Sequence, residues 1–139
     1  MSRVLALVAL LAACAARSSR IPWAGDLDAF VAAHPLAPGQ NIRADEVGRT
    51  ATASYHVVQV RGSETPHRHV THDLTVFVLR GRGTLARGLE QLELAAGDAA
   101  VVPRGQPHRF ANGGHGSAVA LVVFVPPLDA PDSEPAELR

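Results

Sequence analysis

Between residues 51 and 125 the chain runs in short β-branched and apolar stretches, broken by Gly or Pro at intervals of roughly 8 to 12 residues. This pattern predicts strands near 51–61, 65–70, 74–80, 83–87, 90–95, 99–103, 107–111 and 118–125. A succession of short strands of this kind closes into a sandwich that hides its sheet edges, so the expected fold class is all-β. With 139 residues, of which 47% are hydrophobic and 19% charged, the chain fits one domain with a core of its own.

Composition removes several kinds of chemistry. All thirteen basic residues are arginine, so a Schiff-base lysine, a P-loop lysine and a lysine anchoring pyridoxal phosphate are excluded. They are balanced by thirteen acids, and aromatics make up only 4%. Neither figure suits a partner that is nucleic acid, which is held by excess positive charge and stacking rings. The single cysteine, Cys14, rules out an intrachain disulfide and any Cys-x-x-Cys motif.

Outside the strand-rich stretch the signals are local. Met1 to Ala13 carry Arg3 and then an apolar run from Val4 to Leu11, the pattern of a cleaved signal peptide and too short to span a bilayer. Residues 14–50 read as a tether and a short helix, which Asp26 caps, Leu27, Phe30 and Val31 continue, and His34-Pro35 ends. From Pro38-Gly39 to Arg49 there is no clear periodicity. A barrel is expected over 51–127, followed by a tail, 128–139; four prolines from Pro126 onward suggest that this end wraps the surface or stays loose. Leu11-Ala12-Ala13-Cys14 resembles the bacterial lipoprotein lipobox. The resemblance implies that Cys14 is lipidated, becomes the first mature residue and anchors the domain at the cell envelope. With Ala15 next, it implies sorting to the outer membrane, facing the periplasm; a plain secretory signal with an incidental cysteine is the alternative.

Two stretches carry chemistry. In Gly62-Ser-Glu-Thr-Pro-His67-Arg-His69 the two histidines are two apart, which on a strand turns both imidazoles to one face. In the second stretch Gly97, Pro103, Gly105, His108 and Asn112 bracket a strand, a turn and the start of another strand. These five residues match the second cupin motif, G(X)5PXG(X)2H(X)3N, at every fixed position, and residues 50 to 127 resemble the cupin superfamily. The first cupin motif, G(X)5HXH(X)3-4E(X)6G, is matched less fully: Gly62 stands one residue closer to the histidine pair, and Leu74 occupies the glutamate position.

The resemblance implies a jelly-roll cupin barrel after a short N-terminal helix, with His67, His69 and His108 ligating a divalent transition metal. The fourth donor is then His72, Asp73 or water, with His72 preferred; Asp73 is otherwise a solvated carboxylate or a partner orienting a histidine. Imidazole-rich sites suit Zn, Fe, Cu or Ni better than Mg or Ca. By alternation Phe110 lines the pocket beside His108, while His56 faces the barrel, as a satisfied core histidine before a ligand. Three function classes follow: a module binding metal or a small molecule, a metal-dependent oxygenase or isomerase, and a metal-free ligand-binding cupin. The expected partners are a small molecule and, through Cys14, a membrane; a homodimer is left open.

Overall fold

A computed structural model describes residues 26–139. The signal peptide, Cys14 and most of the tether lie outside the described residues. Helix α1 (Leu27–Ala33) starts where expected, with the Asp26 carboxylate accepting from the Ala29 amide at 2.7 Å. It stops at His34, since the residue before a proline is pushed out of the helical region. The buried Gln59 side chain donates to the His34 carbonyl at 2.7 Å and so ties the helix end to the sheet behind it.

Ten strands follow: β1 (Ile42–Arg49), β2 (Ser54–Val60), β3 (His67–His69), β4 (Asp73–Arg80), β5 (Arg82–Arg87), β6 (Glu90–Ala95), β7 (Ala99–Val102), β8 (His108–Asn112), β9 (Ala118–Val125) and β10 (Ser133–Pro135). They form two five-stranded antiparallel sheets, ordered β1-β2-β9-β4-β7 and β10-β3-β8-β5-β6. The fold is an all-β jelly roll, and its eight middle strands fall where the alternating pattern puts them. Two strands lie outside that pattern. β1 is an edge strand bulged between Glu46 and Gly48; none of its residues is buried, it carries charges as other edge strands do, and Ile42 and Ala44 are its apolar residues at the cavity. β10 comes from the proline-rich tail and pairs Ser133, Glu134 and Pro135 with His69, Arg68 and His67. The tail is therefore part of the sheet that carries all three motif histidines, and it pairs with the strand that holds two of them.

The core lies between the sheets. Leu74 and Val78 of β4, Leu85 of β5, Leu94 of β6, and Val122 and Phe124 of β9 are all buried and in one cluster. Leu85 stands opposite Phe110 in register, and the Phe110 ring lies across Gly83. A methyl group on Gly83 would collide with that ring and with the Ala111 carbonyl oxygen, which is backbone and cannot step aside. Gly83→Ala is expected to cost about 1–3 kcal/mol, seen as a lower denaturant midpoint at unchanged m value. An unchanged midpoint would mean that Phe110 is not held against this strand.

Candidate metal centre

The site starts from a three-residue strand. β3 is His-Arg-His, so the pleat sends the Arg68 side chain to Glu134 at 3.0 Å and leaves both imidazoles on the opposite, inner face. His108 opens β8 directly across from His67. The three rings converge, with centroids 4.3 Å apart for His67 and His108, 5.2 Å for His67 and His69, and 5.5 Å for His69 and His108. One nitrogen from each lies within 4.8 Å of the others.

Each ring is oriented from behind. Nδ1 of His67 lies 2.9 Å from the Thr65 carbonyl, Nδ1 of His108 lies 3.0 Å from the Gln106 carbonyl, and Nδ1 of His69 lies 2.8 Å from the Asp132 carboxylate. An oxygen acceptor at Nδ1 selects the tautomer protonated there, which leaves the lone pair on Nε2. Burial lowers the pKa of His108 to about 4 and also lowers that of His69, against the opposing pull of Asp132. His108 is therefore neutral at physiological pH, the form that binds a metal. Three imidazoles oriented in this way fit a divalent transition ion.

The other sequence-predicted residues fall around this centre, and His72, the preferred fourth donor, differs from expectation. His72 is not in the three-histidine group. It precedes β4 instead of sharing its inner face, is buried, and directs Nδ1 to Asp132 at 2.5 Å and Nε2 to the Pro127 carbonyl at 3.3 Å. With an oxygen acceptor at each ring nitrogen it serves the tail contact. Asp73, the other candidate fourth donor, forms a surface ion pair with Arg104 at 2.7 Å, and the hydrogen bonds from Arg104 lower its pKa to about 2. Leu74, at the family's glutamate position, is buried in the cavity wall, so the wall there offers no donor. Phe110 lines the cavity. His56 is a buried core histidine, bonded to Ser54 at 2.9 Å and packed edge-on against Phe124 at 5.0 Å.

Sequence reasoning left two carboxylates without a role. Asp132, in the tail, accepts from His69, from His72 and from the Thr71 amide at 3.0 Å. Burial alone would raise its pKa, but the bonds from His72, His69 and Thr71 outweigh burial and hold it well below the usual carboxylate range. Glu64, five residues before His69 and in the cavity wall, accepts from the Phe110 amide at 2.9 Å. Burial raises its pKa, against the opposing effects of that bond and of His67.

Behind the histidines lies a cavity of about 680 Å³, whose walls are the inward faces of both sheets. A double-sheet barrel with a three-histidine group at a cavity is the arrangement of a small jelly-roll domain that could hold a metal ion. The cupin domain family profile matches residues 54–124, and the chain belongs to that family. Among its relatives is an uncharacterized protein of Aquifex aeolicus, 37% identical over 99 residues, which are 71% of this chain and 81% of that one. The structure of KdgF from Halomonas sp. is 27% identical, covers 64% of this chain and 82% of its own, and superposes with a TM-score of 0.60. Pac13, a Streptomyces nucleoside dehydratase, shares the fold at 21% identity, covering 70% of this chain and 80% of its own, with a TM-score of 0.58.

Proposed function

We propose that the protein binds a divalent transition metal ion through Nε2 of His67, His69 and His108, and that the ion's remaining positions face a small molecule held in the barrel. The observation that carries this reading is the convergence of three imidazoles, each with an oxygen acceptor at Nδ1, beside a ligand-sized cavity. Once bound, such an ion supplies Lewis acidity and open coordination positions. The chain's own part is to hold the rings. Thr65 and Gln106 do so through backbone carbonyls, Asp132 through a carboxylate, and Leu74 keeps the adjoining wall apolar. Because all three ligands are neutral, the ion keeps its full charge for an incoming oxygen or nitrogen donor. Titration of metal-free protein with Co(II) should give visible absorption bands of a nitrogen-ligated ion that saturate near one equivalent. A spectrum identical to that of free Co(II) would contradict the reading.

Glu64 favours a second reading, turnover by a metal-dependent oxygenase or isomerase. Its Oε2 is fixed by the Phe110 amide at 2.9 Å in the wall of the same cavity, and such a carboxylate can accept or return a substrate proton. Oxygen uptake by Fe(II)-loaded protein with small thiols, diketones or phenolics, lost in Glu64→Gln, would support it. No uptake with any of them, despite tight metal binding, leaves the binding module.

For location, the lipobox-like residues around Cys14 support attachment to the bacterial cell envelope, at the outer membrane and facing the periplasm. Among the described residues no helix is long and apolar enough to cross a membrane. Cys14→Ser is expected to accumulate as unprocessed precursor, whereas the mature wild-type protein fractionates with membranes. Mature wild-type protein in the soluble fraction would rule the anchor out.

A further inference from the structure

The cavity wall has an apolar and a polar part. The apolar part is formed by Val76, Val78, Leu85, Leu94 and Val122 with Phe110, Phe124 and Leu128, and the Phe124 ring packs edge-on against His69 at 5.4 Å. The polar lining comes from the loop and strand carrying His67 and His69, from His108, from Asn41 just before β1, and from the tail at Asp132 to Glu134. Two further features narrow the choice of ligand. Among the described residues no arginine lines the cavity, and the sequence has no lysine to do so. The charged residues that do line it are the carboxylates Glu64, Asp132 and Glu134.

We propose that the barrel accepts a molecule with one metal-binding head and an uncharged, predominantly apolar body, and that it rejects molecules whose body is polyhydroxylated or phosphorylated. The inference rests on the metal site proposed above for the head, and on the cavity wall alone for the body. A sugar or nucleoside buried against Val76, Leu85 and Val122 would lose hydrogen bonds to water and find no donor or acceptor on those side chains. A phosphate carried on the body, away from the metal ion, would meet carboxylates and no cationic side chain. An aliphatic or aromatic body gains from the same wall, because each buried methylene tightens binding by about fourfold. At about 680 Å³ the cavity lies within the range of roughly 300–1,000 Å³ common to small-molecule sites.

The test is calorimetry on Zn(II)-loaded and metal-free protein with four probes: acetohydroxamic acid, octanohydroxamic acid, 1-octanol and glucose 6-phosphate. On Zn(II)-loaded protein octanohydroxamic acid should bind roughly a hundredfold or more tighter than acetohydroxamic acid, the two sharing a head and differing in the tail. On both forms 1-octanol should bind weakly and about equally, whereas glucose 6-phosphate should not saturate the metal-free form and should bind the Zn(II)-loaded form far more weakly than octanohydroxamic acid. Ala120→Phe on β9, which fills part of the cavity, should remove most of the tail's advantage. Ala44→Phe on the exposed edge strand β1 is the second variant should the first not fold. Equal affinity for the two hydroxamates, no octanol binding to either form, or tighter binding of glucose 6-phosphate than of octanohydroxamic acid would overturn the inference. Should Zn(II) fail to bind while octanol still does, the metal site fails and the apolar cavity stands.

Discussion

His108→Ala is expected to weaken metal binding by about a hundredfold or more, while Asp73→Ala leaves it unchanged. His108 and His67 come from opposite sides of a β3–β8 pair and the two histidines of β3 share one face, so removing His108 opens the coordination sphere along the whole β8 side. The fold should survive, because the core is carried by Leu74, Val78, Leu85, Leu94, Val122 and Phe124. Asp73 leans the other way, onto Arg104 at the surface, and loses only that contact when truncated. Metal stoichiometry of the two purified variants decides between the candidate ligands. Full occupancy in His108→Ala would break the three-histidine assignment. Near-complete loss in Asp73→Ala would make the carboxylate a ligand.

Asp132→Asn should act on metal and fold together. The amide oxygen can accept from one of the groups that now share the carboxylate, but it cannot serve His69, His72 and Thr71 as the two charged oxygens do. Without its oxygen partner His69 is free to rotate or to change tautomer, and losing a group that orients a metal-bound histidine typically weakens affinity by about 10- to 100-fold. The same change should lower stability by about 1–3 kcal/mol, since the carboxylate is 12% exposed and its hydrogen bonds are largely shielded from water. Its pH dependence separates this role from a general packing defect. The folded-state pKa of Asp132 lies below its unfolded value of about 3.9, so its contribution is complete above that pH and is lost as pH falls through the folded value. The stability gap between wild type and Asp132→Asn should thus be full near pH 6 and shrink below about pH 4. A gap independent of pH would show that the charge does not matter.

Asp132 also marks the limit of what the sequence shows. It lies 63 residues from His69, in a proline-rich tail with no apolar alternation, and nothing local distinguishes it from the exposed acids around it. Only the pairing of β10 with β3 brings it behind the histidine. β1 was hidden for a related reason: an edge strand with no buried residue lacks the alternation that announced β4. By contrast, His67 and His69 were legible because strand alternation puts both on one face, and His108 because Gly97, Pro103, Gly105 and Asn112 around it match the second cupin motif, whose histidine the resemblance makes a ligand. His72 shows how sharply that logic depends on a boundary. One residue outside β4, it turns to the tail instead of the cavity, although its parity matches that of Leu74.

The metal centre is tested most directly by elemental analysis of the protein purified without added metal, repeated after incubation with Zn(II), Fe(II), Cu(II) and Ni(II) and removal of unbound ions. The account predicts about one equivalent of a divalent transition metal per chain in wild type, and far less when His67, His69 and His108 are replaced together. Wild-type protein that is folded yet retains none of these ions, or a triple variant that retains as much as wild type, would contradict it.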